Sequence, residues 1–270
     1  MTWTENAASG GRLFPWEELW RARELVTFFA QRDVKVRYKQ AVLGVAWVLL
    51  QPIVTVAAFT FVFDRLADVD TGGLPYPVFA LAGLLGWNYI SQCISKGSEV
   101  LVGNSAMITK VYFPRVLAPV ASLLPPMLDL LVGLGLLALL ALAYGVTGGL
   151  ALLLLPLWLL ALAVTALGPV LFLAALNVRY RDVRQVNAPL LQALLFLSPV
   201  AYSAAALEGL PRFLYALNPA SGAVELGRFV LLDARWPGLP LAVSSAVALA
   251  LAVTGLVYFQ RAQRYFADVI

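Results

Sequence analysis

Two apolar runs decide the fold: VLAPVASLLPPMLDLLVGLGLLALLALAY at Val116–Tyr144 and LALLLLPLWLLALAVTALGPVLFLAAL at Leu150–Leu176, with only Gly145–Gly149 between them. The hydrocarbon core of a bilayer is about 30 Å thick, and about 20 apolar residues in a helix cross it. Each run is long enough to span. So short a connection makes the pair an antiparallel hairpin. A single carboxylate, Asp129, lies inside the first run. An acid at that depth is by default a functional-site hypothesis; the structural alternative is that it satisfies a neighbouring helix or sits near a watery gap.

Working outward, four more spans are expected, at Ala41–Phe63, Val78–Ser95, Ala188–Leu207 and Leu239–Phe259. Gln51-Pro52 predicts a kink in the earliest, because proline removes a helix hydrogen bond. Asp64–Pro77 reads as a short polar loop, and Lys96–Arg115 is too polar to cross. Glu208–Gly238 is semi-apolar but broken by Pro211, Asn218-Pro219 and Trp236-Pro237. It is expected to hold two short helices, Arg212–Leu217 and Ser221–Leu232, hinged at Asn218-Pro219, with Tyr215 near a pathway and Arg228 on the second helix. Neither can cross. They are expected to be re-entrant, which is tolerated where protein or a watery cavity covers the backbone.

Residues 1–14 are polar, with no apolar segment of the signal-peptide kind, and are expected to be disordered. Pro15 opens a helical pattern to about residue 40, with Glu17 and Glu18 in its first turn. Leu19, Ala22, Val26 and Phe29 share one face, and Glu17, Arg21 and Glu24 another. With Trp16 and Trp20 at its start, this amphipathic helix suits a membrane surface; the alternative is packing on a partner. The expected organisation is therefore all-α: a disordered 1–14, an interface helix at 15–40, six transmembrane helices within 41–259, and a tail at 260–270.

Composition agrees. Of 270 residues, 61% are hydrophobic and 13% charged, where a soluble domain carries about 25% charged. The single cysteine, Cys93, cannot form an intrachain disulfide, and the absence of histidine removes His metal sites and His-based triads. The net charge of +4 comes from 19 Lys+Arg against 15 Asp+Glu. Of those 19 cations, 15 fall in residues 1–40, 96–115, 177–187 and 260–270, and 4 in the alternate connections. The positive-inside rule then puts the richer side, with both termini, in the cytoplasm. No clear internal repeat relates the two halves, which weakens an inverted-repeat transporter.

No catalytic constellation is present, and there is no G-x-x-x-x-G-K-[ST] loop to cradle a nucleotide. Three short charged elements stand on the richer side, each flanked by a span: Tyr38-Lys39-Gln40 with Leu43-Gly44 and Trp47; Asn104 through Lys110 with Phe113-Pro114-Arg115; and Arg179-Tyr180-Arg181-Asp182. Each alone is ordinary topology charge. Together they shape a face able to dock something.

From about Trp20 to Phe259 the sequence resembles the membrane subunit of the ABC type-2 exporters that move O-antigen, teichoic acid and capsule-like polysaccharides. The resemblance is carried by Arg32-Asp33-Val34-Lys35-Val36-Arg37-Tyr38-Lys39-Gln40, Leu43-Gly44-Val45-Ala46-Trp47, Gln51-Pro52, Phe113-Pro114-Arg115, Arg181-Asp182, and Asn218-Pro219 followed by Arg228. It implies a homodimer in the bacterial cytoplasmic (inner) membrane, with two copies of a separate ATPase subunit below. ATP and Mg would belong to that subunit, leaving this chain without a cofactor of its own. By the same resemblance Asn104, Met107, Lys110, Arg179, Arg181 and Asp182 touch the ATPase, and the broken segment holding Asn218, Pro219 and Arg228 caps the outer exit. The implied cargo is a glycan or polyol-phosphate on an undecaprenyl-diphosphate lipid.

The residues suit that cargo. A sliding glycan needs shallow stacking surfaces, for which Trp47, Phe59, Trp87, Tyr89, Phe196, Tyr202 and Tyr215 are candidates; the alternative is interfacial belts or core packing. Arg37, Lys39 and Arg115 are candidates for the diphosphate, or else simple positive-inside charge. Two other readings stay open: an ABC type-2 permease for a drug or small lipid, and an integral-membrane enzyme acting on a lipid carrier, which the missing histidine and unclustered carboxylates oppose.

Overall fold

Proline and glycine set where the helices begin and how closely they pass. The computed structural model describes residues 23–39, 44–65, 67, 69–105, 113–203 and 209–266. Among these, all regular structure is helical. In chain order the elements are α1 (Arg23–Lys39), α2 (Gly44–Phe59, prolonged by a π-helical turn Thr60–Asp64), α3 (Tyr76–Gly103), α4 (Leu117–Ala121) and α5 (Leu124–Ala143). Then come α6 (Leu155–Arg179, entered by a 3-10 turn Leu150–Leu154), α7 (Val183–Phe196), α8 (Gly209–Ala216), α9 (Pro219–Leu232) and α10 (Leu239–Ala262, followed by a 3-10 turn Gln263–Tyr265). Prolines open α3, α5, α6, α9 and α10 in their first turn, where the missing N–H has no helical partner to lose.

Among the described residues, four helical stretches are long and apolar enough to cross a membrane: Tyr76–Gly103, Leu117–Ala143, Leu150–Arg179 and Leu239–Ala262. Both apolar runs of the expected hairpin are among them, each packed on Tyr76–Gly103 rather than on the other. The first expected span appears as α2, a shorter apolar helix that runs on through Pro52 into its π turn. Two other expectations need correction. Of the span placed at Ala188–Leu207, residues 188–196 belong to the helix Val183–Phe196 and residues 197–203 leave it, while 204–207 lie outside the described residues. Ser198 precedes Pro199, and the clash of the proline ring with the residue before it disfavours helix there. The span placed at Val78–Ser95 continues to Gly103. Its last turns look polar in sequence, yet Ser98 is wholly buried, so hydropathy alone ended the helix too early. The short pair between the last two long segments is α8 and α9, joined through Leu217-Asn218, so the expected hinge at Asn218-Pro219 falls at the start of α9.

α3 is the central helix. In its apolar window 78% is buried, against 28% in Leu117–Ala143, 28% in Leu150–Arg179 and 17% in Leu239–Ala262. α6 and α9 close on it around Trp158, whose buried indole N–H donates to the Ala223 carbonyl at 2.8 Å. A second cluster joins α1 to the far ends of α3, α6 and α10 through Phe29, Leu101, Phe113, Leu171, Phe259 and Phe266. Thus α1 packs against the bundle through Phe29, while Phe28 points outward.

α6 and α10 make the most extensive helix pair, and they meet backbone to backbone. A Cβ on Gly168 would stand 2.5 Å from the Leu251 carbonyl, and one on Gly255 would strike the Gly168 carbonyl. Small residues at a helix crossing are the membrane solution to close packing, since dispersion replaces the hydrophobic effect in lipid. Gly255→Val should therefore force the helices apart at a cost of about 1–3 kcal/mol, read as a lower unfolding midpoint in detergent. Gly103→Ala, where a Cβ meets nothing within 4 Å, should not lower the midpoint, and the loss of glycine's chain freedom should raise it slightly.

Candidate functional site

Charged loops gather at one end of the bundle. There Asn104 ends α3: its backbone N–H reaches the Leu101 carbonyl, and its side-chain amide donates to the Val100 carbonyl at 2.7 Å. Its oxygen accepts from Arg32 Nη1, also at 2.7 Å. Arg32 is held by Asp33 as well, at 2.7 Å, and lies over the Phe29 ring. A groove of about 350 Å³ opens beside this contact, lined by Arg32, Asp33, Lys96, Glu99 and Asn104 among others.

The loop between α6 and α7 stands at the same end, and Arg179, Tyr180, Arg181 and Asp182 are all exposed. The Arg179 guanidinium covers the Tyr180 ring at 5.2 Å. Asp182 caps α7 through its main chain only, the Gln185 N–H donating to its carbonyl at 2.9 Å. Both legs of the loop are tied down. Asn177 Nδ2 donates to the Ser98 carbonyl at 2.9 Å and Asn187 Nδ2 to Ser98 Oγ at 2.6 Å. Arg184 adds an exposed ion pair to Glu99 at 3.1 Å, worth little in water. Sequence reasoning missed Ser98, Asn177 and Asn187; the placement of an asparagine on either side of the charged loop was the available signal.

The expected cationic cluster divides. Arg115 is committed to the chain's own end, donating to the Gln263 carbonyl at 2.7 Å above the Phe266 ring. Met107 and Lys110 lie outside the described residues, as do the side chains of Arg37, Lys39 and Trp47.

At the opposite end, α8 and α9 meet at the expected hinge. Asn218 accepts from the Ala220 N–H at 3.0 Å, a side-chain N-cap, and donates to Ser198 Oγ at 2.9 Å. Pro219 is the first residue of α9. The Tyr215 and Tyr202 rings lie 5.9 Å apart, and Tyr202 donates to the Phe196 carbonyl at 2.8 Å. A cavity of about 360 Å³ opens here, with Asp70, Tyr215, Ser221, Glu225, Arg228 and Trp236 in its wall.

Arg228 is the centre of this end and is only 4% exposed. Nε donates to the Phe79 carbonyl at 3.3 Å, Nη1 to the Tyr202 carbonyl at 3.3 Å, and Nη2 to the Val200 carbonyl at 2.7 Å. The guanidinium also rests 3.6 Å from the centre of the Phe79 ring. A guanidinium stays a cation at neutral pH, and here its charge is met by carbonyl oxygens and a ring face. One planar fork thereby binds α3, the turn after α7, and α9.

The aromatic candidates also divide. Trp87 and Tyr89 belong to the core, with Tyr89 donating to the Leu123 carbonyl at 3.3 Å. In this conformation they offer no face to a passing chain. Phe59 is partly buried, 5.5 Å from Phe63. Phe196 is 60% exposed, and Tyr202 and Tyr215 are half-buried. Asp129 is buried on α5.

Known proteins match nearly the whole chain. An O-antigen export system permease protein RfbA from Myxococcus xanthus is 27% identical over 256 residues, covering 94% of this chain and 98% of that protein. Two proteins of the same description from Klebsiella pneumoniae are 21% and 20% identical over 254 residues, each covering 92% of this chain and 95% of the relative. The family described as ABC-2 type transporter matches residues 24–232, a stretch that includes the Arg179–Asp182 loop, the α8–α9 hinge and Arg228. This chain is a membrane permease subunit, and it belongs to the ABC-2 type transporter family.

Proposed function

We propose that the chain is the transmembrane subunit of an ATP-driven exporter that carries a lipid-linked polysaccharide, of the undecaprenyl-diphosphate-linked O-antigen or teichoic acid kind, across the cytoplasmic membrane. The observation that carries this reading is the match to O-antigen export permeases along almost their full length. Two copies would enclose a pathway, since two-fold symmetry is the common way to build one from identical subunits. Two ATPase subunits, holding ATP and Mg, would dock on the end bearing Asn104 and Arg179–Asp182. That end carries most of the Lys+Arg and would face the cytoplasm with both termini.

Six crossings are part of this proposal. The helix from Gly44 to Asp64 has a length of about 30 Å at 1.5 Å per residue. The segment from Asn187 to Val200 runs alongside α3 from Ser98 to Gly83, a rise of about 22 Å. An unwound end at that depth is tolerated where protein covers it, and Arg228 with Asn218 provides the cover. α8 and α9 would dip back as re-entrant helices and shut the exit while no glycan is present. Phe59, Phe196, Tyr202 and Tyr215 keep accessible surface for a sliding glycan, and Arg37 and Lys39 would serve the diphosphate at the entry, with Arg115 already bonded to the Gln263 carbonyl.

Three outcomes test this reading. Co-expression with its ATPase should yield a two-plus-two complex that hydrolyses ATP, while the isolated chain hydrolyses none; ATPase activity in the chain alone would sink it. Asp182→Ala should insert normally yet reduce glycan export about tenfold, in the range of ordinary coupling energies; normal export at the usual protein level would remove the loop from the coupling path. Arg228→Ala should lower the unfolding midpoint, because the buried carbonyls of Phe79 and Val200 lose a donor at about 1–3 kcal/mol each, and the part-buried Tyr202 carbonyl loses one as well. Arg228→Lys should fall between, since an ammonium cannot reproduce the planar fork.

A further inference from the structure

Buried polar side chains at the charged end converge on one residue. Ser98 is 0% exposed, and Asn177 and Asn187, the groups that donate to it, are 3% and 4% exposed. Ser98 Oγ itself donates to the Ser95 carbonyl at 2.8 Å. Asn177 lies in the last turn of α6 and Asn187 near the start of α7, so both legs of the exposed Arg179–Asp182 loop end on one serine. In a dry interior these bonds have no water to replace them, and losing one leaves an amide without a partner. The loop therefore cannot be displaced while Ser98 stays still.

α3 continues without interruption from that serine. It is one helix of 28 residues, with proline only in its first turn. At its charged end Asn104 holds Arg32 of α1. At its other end Tyr76 donates to the Ala201 carbonyl at 2.8 Å, and the Phe79 carbonyl and ring hold Arg228. The contacts of the loop and of α9 thus lie on a single stiff rod.

We propose that Ser98 is a positioning residue for energy coupling: by gripping Asn177 and Asn187 it makes the Arg179–Asp182 loop and α3 one rigid body, which delivers movement of the loop to the Arg228 clamp and α9. The inference rests on the reading that this loop docks an ATPase. Ser98 touches neither the cargo nor the ATPase; it fixes the angle between the loop and α3.

The test uses the full complex with its ATPase, in a Cys93→Ala background carrying Ser98→Cys and Asn187→Cys. Unbridged, the pair has lost one hydrogen bond of the grip. Export per ATP hydrolysed should fall about tenfold, as expected for loss of a coupling interaction, while the ATPase remains bound and active. Joining the two thiols, directly or with a short thiol-specific bridge, should restore export per ATP, and reduction should abolish it again. A bridge that blocks export would overturn the proposal, because the loop would then have to move relative to α3. An unbridged pair with unaltered export per ATP would overturn it too. Asn177→Ala, which breaks only the other leg, gives an independent reading: coupling should fall at normal complex yield, and unchanged coupling counts against the grip. ATPase binding is scored in the same preparations. Failure of the wild-type chain to retain the ATPase would refute the docking reading itself, and this inference with it.

Discussion

A helix that stops inside a packed interior leaves carbonyls that water cannot reach, and each must find a donor within the protein. In this chain α7 stops at Phe196, and the turn after it carries the carbonyls of Val200 and Tyr202 into the bundle. Arg228 supplies both of them, and a third to Phe79. An arginine suits the task because its five donors lie in one plane and it stays charged. Its placement fixes much else. α9 must lie deep enough to bring residue 228 to the turn, so Asn218-Pro219 must redirect the chain sharply, and α8 is left as a short lever on the far side of the hinge.

The opposite end is organised by asparagine and serine instead of a charge. Two amides on Ser98 hold an exposed loop whose own residues make few bonds to the bundle. The two devices differ in kind. Arg228 ends a helix inside the bundle and contains that break, whereas the Ser98 cluster stiffens a connection between helices that are otherwise complete. α3 carries both, which accounts for its unusual burial among the long helices.

Local chemistry was legible in the sequence and tertiary chemistry was not. The hinge at Asn218-Pro219 could be read because a missing N–H and a capping side chain act within three residues. The hairpin at Gly145–Gly149 could be read from length alone. The end of α3 was misplaced because hydropathy averages Lys96, Ser98 and Glu99 together, though Ser98 faces inward. Trp87 and Tyr89, open in the sequence between stacking surfaces and core packing, lie in the core, since an aromatic ring carries no sign of which way its helix face turns. The task of Arg228 was hidden for a plainer reason: its partners lie at 79, 200 and 202, and only the folded chain brings them together.

The clamp also restricts its neighbour. Gly83 lies one turn from Phe79, directly under the guanidinium, and a Cβ there would stand 2.7 Å from Nη2 of Arg228 and 3.0 Å from the Val200 carbonyl. A side chain at 83 and an arginine at 228 thus compete for one volume. In evolutionary terms the two positions form a lock: neither can drift alone without loss. A lineage that shortens residue 228 relieves the tighter of the two contacts on position 83, leaving the Val200 carbonyl as the other, and one that keeps the arginine must keep the glycine. Descent along this family should therefore pass through both changes together, leaving correlated positions in segments that are far apart in sequence.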